Sequence, residues 1–152
     1  MARKGPTPRP QVDRFAEKIA LAPSGCIEWI APLSDQGYGY LRLGVTAGGG
    51  HVYAHRWSYE HHIGPIPDGM HLDHLCRNRA CVNPEHLEAV PPRINSLRGI
   101  GSPALNARKS HCQDGHPLSG PNLYTNPTTG YRKCRTCERQ RDRSRRRNRK
   151  AA

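Results

Sequence analysis

Between Asp73 and Asn95 the chain reads DHLCRNRACVNPEHLEAVPPRIN, a window dense in metal-binding side chains. Counted from His74, the others fall at Cys76 (+2), Cys81 (+7), His86 (+12) and Asn95 (+21). Cys76, Cys81 and His86 carry donors suited to one soft, tetrahedral metal site. Asp73 and Asn95 offer hard oxygens, which suit a magnesium-like ion. His74 lies between the two sets, with an ordinary pKa near neutrality that fits a general base. A soft-metal cage beside a hard-metal site and a base points to phosphodiester chemistry.

Why such a window constrains the fold follows from the rest of the chain. The 152 residues are 35% hydrophobic, with 15 Gly and 14 Pro, which gives loop-rich chain around a thin core. A core of that kind needs a staple, either disulfides or metals. No apolar run reaches the length of a membrane helix, so no membrane partner is expected and the reading is a soluble, cytoplasmic protein. The first ten residues, MARKGPTPRP, are basic and lack the apolar stretch of a secretory signal. Without export, six cysteines are poor candidates for disulfides. Those six are Cys26, Cys76, Cys81, Cys112, Cys134 and Cys137. With His86 and His116 they make eight candidate ligands, enough for two tetrahedral zincs.

Charge sorts the chain further. The net charge is +12, yet residues 11–131 hold ten basic and ten acidic side chains. Residues 1–10 add three cations, and residues 132–150 add eleven against two acids. Basic ends on a neutral body suit salt-sensitive, sequence-independent binding to nucleic acid phosphates.

Periodicity gives a coarse set of elements. Val12, Phe15, Ala16, Ile19 and Ala20 recur at helical spacing, predicting a helix over roughly Gln11–Leu21. Cys26–Ile30 reads as a strand with Tyr38–Leu43 as its partner. His51–Ala54 reads as a third strand, after the turn Gly48-Gly49-Gly50, and His55–Ile63 as a helix. Met70–Leu75 reads as a strand delivering Asp73 and His74, followed by a Cys76–Asn83 loop and a strand over Leu87–Val90. Pro92 opens a helix with Asn95 in its first turn. Gly99–Ser102 reads as a linker, and Cys112–Cys137 as a second metal module. The Arg-rich run from Thr136 onward suits a helix. These readings divide the chain into a basic arm (1–10), a central domain (11–100), a second zinc module (101–137) and an Arg-rich tail (138–152).

The strings GCIEW (25–29), GYGY (37–40), YAHRWSYE (53–60), GPIPDG (64–69) and HLCRNRACVNPEHLEAV (74–90) resemble the zinc-bearing phage HNH endonucleases of the ββα-metal superfamily. The spacing from His74 to Asn95 is also similar to the His-Cys box homing endonucleases. The resemblance spans Gly25 to about Gly99, half the chain. It implies an α+β fold: a zinc-stapled ββα-metal core with a small antiparallel sheet, then a zinc-ribbon-like module and a basic tail.

It further implies that Cys76, Cys81 and His86 share a structural zinc with the upstream Cys26. His74 is then the general base, and Asp73 and Asn95 hold one catalytic Mg²⁺ or Mn²⁺. Arg56 reaches the scissile or a neighbouring phosphate, or else pairs structurally with Glu60. Asn83, just before Pro84, suits a turn or helix cap rather than catalysis. Trp29 and Trp57 suit the core. Cys112, His116, Cys134 and Cys137 make the second structural zinc, with GHPLSGPNLY and GYRKCRTC resembling the ribbons that follow phage HNH domains. Arg139, Arg141, Arg143, Arg145, Arg146, Arg147, Arg149 and Lys150 are the expected DNA-binding side chains. Expected partners are double-stranded DNA, a homodimer and phage packaging proteins. The competing reading is a zinc-stabilised DNA- or RNA-binding protein without cleavage activity, which would have no need of Asp73, His74 and Asn95.

Overall fold

Short strands and frequent turns give the expected α+β fold, in which the described residues form four two-stranded antiparallel ribbons with helices between them rather than one small sheet. The computed structural model describes residues 9–44 and 49–151. Most of the basic arm at 1–10, and Gly48 of the glycine turn, lie outside the described residues. The chain divides into two compact units, residues 1–95 and 96–152.

In the first unit, α1 spans Gln11–Ala16 and β1 spans Ile19–Leu21. The helix expected to run to Leu21 therefore stops early. Lys18 N–H turns back onto the Phe15 carbonyl, and the chain extends to pair Ile19–Leu21 with β2, Ile27–Trp29. The turn between them uses Gly25 at φ +79°, a conformation that costs glycine little. The apolar positions fitted a helix, and ribbon pairing overrode them.

The expected pairing of Cys26–Ile30 with Tyr38–Leu43 is also replaced. β3, Tyr40–Arg42, pairs instead with β4, His51–Tyr53. The other side of β2 is taken by residues 80–82: Trp29 N–H bonds the Ala80 carbonyl, and Val82 N–H bonds the Ile27 carbonyl. This second pairing sets Cys26 close to Cys81, although 55 residues separate them in sequence.

α2 follows directly at Ala54–His62. Then β5 (His71–His74) pairs with β6 (Leu87–Val90), and α3 (Pro92–Arg98) comes next. Strand, strand, helix is the order expected here. A 3₁₀ turn at Pro84–His86 precedes β6, and Asn83 caps it, its side chain accepting from Glu85 N–H at 3.1 Å.

The core is as thin as the composition requires. Phe15, Trp29, Leu41, Ala54 and Val82 are buried together, with Ile19, Ile27, Ala31, Val52 and Trp57 packed against them. Both tryptophans are thus core residues, and Trp57 also donates its indole N–H to Gln11 at 3.0 Å. Gly39 lies against this core: a Cβ there would sit 2.5 Å from atoms of the Trp29 ring. Gly39→Ala should therefore cost roughly 1–3 kcal/mol, as overpacking of a closed core does. A thermal melt of the variant matching the wild type would contradict this.

In the second unit, α4 (Ser102–Arg108) begins at the last residue of the expected linker and runs through residues for which the sequence predicted no element. Arg132 holds its C-terminal end, the guanidinium donating to the carbonyls of Asn106, Ala107 and Lys109. β7 (Leu123–Thr125) pairs with β8 (Arg132–Cys134), and α5 runs over Arg135–Ala151. No helix among the described residues is long and apolar enough to cross a membrane.

Candidate active site

The two ligand sets come together as two separate clusters. Cys26, Cys76, Cys81 and His86 have their donor atoms within 4.8 Å of one another. Cys112, His116, Cys134 and Cys137 do the same. His86 Nδ1 lies 3.6 Å from both Cys26 Sγ and Cys81 Sγ. His116 Nδ1 lies 3.5 Å from Cys112 Sγ and 3.3 Å from Cys137 Sγ. Bonds of roughly 2.0–2.3 Å to zinc produce tetrahedral edges of roughly 3.5 Å, so the donor sets fit that ion. All six cysteines are free thiols, and sulfurs 3.5 Å apart, as in Cys112 and Cys137, are not disulfide-bonded.

Acidities within the clusters diverge. Hydrogen bonds from Ser24 and then His86 hold the Cys26 thiol down at about 7, while burial pushes Cys81 up to about 12. Three thiols crowded together cannot all ionise without a cation, which is what a bound metal supplies. In the second cluster a carboxylate, Asp114, accepts from Cys137 at 3.1 Å and raises that thiol. Asn122 supports both the cluster and the start of α5. Its amide donates to Cys134 Sγ, and its oxygen accepts from Thr136 N–H and hydroxyl.

The first cluster fixes the loop that leaves β5. Leu75 N–H bonds the His86 carbonyl at 2.9 Å, extending the β5–β6 ribbon to the first cysteine. Asn78 ties the loop to β2 by donating to Glu28 at 2.6 Å. Arg77 closes the turn from His74 with φ +61°, a left-handed conformation rare for a side chain of its size.

Asp73 and His74 end β5, opposite Glu88 and Leu87, and both are buried. His74 Nε2 lies 3.1 Å from the Cys81 carbonyl oxygen. A carbonyl can only accept, so Nε2 carries the proton and the neutral ring presents Nδ1 as its basic nitrogen. Burial lowers the His74 pKa, against the opposing pull of the Cys81 carbonyl and the Asp73 charge. The neutral, basic form is thereby favoured at neutral pH. Because Cys81 belongs to the first cluster, that cluster also sets the tautomer. Arg77 pairs with the Asp73 carboxylate, four residues on.

Asn95 is half-buried on α3, five residues after the end of β6. Arg56 is half-buried on α2, and no ion pair to Glu60 holds it among the described residues. Residues Arg139 to Lys150 lie along α5 with every side chain exposed.

Reading the sequence for ligands and bases passed over three side chains at this site. His55 is buried, its ring 4.8 Å from that of His74 and 5.2 Å from that of Tyr38. Burial, then the His74 and Arg56 charges, drop its pKa to about 3, so it stays neutral. Tyr38 completes an aromatic wall, 5.9 Å from His74. Arg77 is the third. The strings AHR and GYGY held the first two, whereas Arg77 reaches Asp73 through the tight turn after His74, which no sequence periodicity announces.

The HNH endonuclease family model matches residues 52–97, from β4 through most of α3. The chain is 45% identical over 79 residues to the gene 5.3 protein of Enterobacteria phage T3, covering 50% of this chain and 78% of the relative. It is 34% identical over 107 residues to protein 2.8 of Escherichia phage T7, covering 70% and 67% respectively. Protein 7.7 of the same phage is 41% identical over 71 residues, covering 47% of this chain and 52% of its own length. No solved structure matches the chain. By its matched family model, its relatives and its metal-ligand clusters, the chain belongs to the phage-type HNH endonucleases.

Proposed function

We propose that this protein is a metal-dependent DNA endonuclease or nickase that hydrolyses phosphodiester bonds with His74 as general base. One observation carries the reading above the others: Nε2 of the buried His74 is committed to the Cys81 carbonyl, which leaves Nδ1 unprotonated and basic. Binding phosphate as a cation would instead require a protonated Nδ1, a form that burial of this ring disfavours. In the reaction, His74 Nδ1 takes the proton of the attacking water, and the imidazolium so formed is stabilised by the neighbouring Asp73 charge.

Asp73 and Asn95 would hold one Mg²⁺ or Mn²⁺ ion, which neutralises charge developing on the phosphate and the leaving 3′ oxygen. Arg77 pairs with one oxygen of the Asp73 carboxylate, Oδ1, and substrate phosphate would compete for that guanidinium. Arg56 contacts a phosphate of the substrate. The rings of His55 and Tyr38, 4.8 Å and 5.9 Å from that of His74, help hold the base in place.

Two structural Zn²⁺ ions, one per cluster, fit the donor sets. Residues 11–100 do the cutting, residues 101–137 form the second zinc module, and the Arg-rich tail at 138–152 gives affinity through phosphate contacts. A homodimer and phage packaging proteins have no supporting observation among the described residues, and the reading does not use them. The rival reading, a non-cleaving DNA- or RNA-binding protein, has no need of Asp73, His74 and Asn95 as a set.

The test is a supercoiled plasmid incubated with the zinc-loaded protein. Relaxed or linear product should accumulate with magnesium or manganese and not in EDTA. Retention of the plasmid in a complex, uncut at any magnesium concentration, would favour the rival.

A further inference from the structure

The run that first reads only as Arg-rich has a regular internal order. From Arg139 it repeats every four residues: R-Q-R-D, R-S-R-R, R-N-R-K. On α5, positions four apart form the helix's natural ridges, so each column of the repeat becomes a row. Gln140, Ser144 and Asn148 make an uncharged, hydrogen-bonding row. Arg141, Arg145 and Arg149 run along one side of it, and Arg139, Arg143 and Arg147 along the other. Every side chain from Arg139 to Lys150 is exposed, and none belongs to the buried core.

We infer that α5 enters the major groove of duplex DNA, where Gln140, Ser144 and Asn148 contact base edges while the two arginine rows hold the flanking phosphate backbones. The inference rests on the nuclease reading only in taking DNA as the substrate.

Charge complementarity selects this occupant. A helix lying on a flat anionic surface needs cations on one side. A helix seated in a groove meets a phosphate strand on each side and base edges between them, which is the order of the three rows. The major groove of B-form DNA is wide enough for an α-helix, whereas that of A-form RNA is deep and narrow. The side chains of the middle row are the ones that read bases. Gln and Asn pair bidentately with adenine, and Ser bonds either partner. From Gln140 to Asn148 the row is about 12 Å long, enough for three to four base pairs.

The free helix also calls for such a partner. Like charges face each other at 139/143, 141/145, 143/147, 145/149 and 146/150, an arrangement that destabilises an isolated helix. Among the described residues, its first turn is fixed by Cys137 in the metal cluster, by the Asn122 bonds to Thr136 and by the Lys133–Glu138 ion pair. Phosphates on both sides would relieve that repulsion along the remaining length.

The experiment uses the full-length, zinc-loaded protein without added magnesium, so that binding is read apart from cutting. It selects sites from randomised duplexes, then measures affinity for the selected and a scrambled duplex across a salt series. The wild type should enrich sites containing adenines within a three- to four-base-pair core and prefer them over the scrambled duplex by tenfold or more. The triple variant Gln140→Ala, Ser144→Ala, Asn148→Ala should bind both duplexes alike, with the wild-type salt dependence. Alanine favours the helix, so helicity is not lost with the row.

The variant Arg141→Ala, Arg145→Ala, Arg149→Ala should weaken both duplexes equally and reduce the salt slope by about three. Absence of any enriched site, a retained preference in the first variant, or tighter binding to hairpin RNA or single strands at equal salt would each overturn the inference. A selected duplex that is bound specifically yet stays intact when magnesium is added would count against the nuclease reading alone.

Discussion

Cys81→Ser should leave the first unit, residues 1–95, largely unfolded at room temperature, with zinc content falling from two ions per chain to one. The expectation follows from how little else holds that unit. Among the described residues its main buried cluster is five side chains with partly buried neighbours, and Leu72, Leu87 and Val90 are buried outside that cluster on β5 and β6. Cys81 is itself among the largest that are fully buried. A structural zinc contributes an apparent binding free energy of roughly 10–16 kcal/mol near neutral pH. Whole domains are stable by roughly 5–15 kcal/mol, so losing the ion removes as much as the unit has. The loop from Cys76 to His86, the seat of Cys26 and the Cys81 carbonyl that orients His74 all depend on it. Cys112→Ser is the matched control: it should also lose one zinc, yet keep the first unit's cooperative unfolding and its cleavage at saturating protein. Circular dichroism with elemental analysis reads both. A Cys81→Ser protein that melts cooperatively at the wild-type temperature would refute the stapled-core account.

The second large effect is on rate rather than stability. His74→Ala should reduce single-turnover cleavage by about 10²–10⁴-fold, the contribution of a general base. The fold loses one hydrogen bond, to the Cys81 carbonyl, worth about 1 kcal/mol. Zinc content and DNA affinity should therefore match the wild type, since neither the ligand clusters nor the basic helix is touched. A variant that cuts at near wild-type rate with both zincs in place would remove His74 from the mechanism.

What could be read from the sequence was local in the chain. His74, Cys76, Cys81 and His86 lie on one ribbon and its loop, so their spacing alone encodes a geometry, and β5, β6 and α3 fall close to where periodicity and Pro92 place them. Residues contributed from far away were legible only through resemblance. Cys26 reaches the first cluster because β2 pairs with residues 80–82, and no local pattern announces that pairing. Register was the weakest part. Ile19 and Ala20 continue an apolar helical stripe, yet they form a strand because Ile27–Trp29 offers a partner across a tight Gly25 turn. His55 and Tyr38 were missed for a related reason: an aromatic wall is assembled from α2 and the chain before β3, and neither piece looks functional by itself. The four-residue order in the tail was visible in the letters, but an arginine run invites counting charges rather than reading columns.

End-group analysis of the cleaved strand tests the central claim most directly. A terminally labelled duplex is incubated with the zinc-loaded protein and magnesium, and the new ends are identified. Hydrolysis by a water that His74 deprotonates, with departure of the 3′ oxygen, predicts 3′-hydroxyl and 5′-phosphate ends, formed with magnesium and absent in EDTA. Ends bearing a 3′-phosphate, or the same products in EDTA, would contradict it.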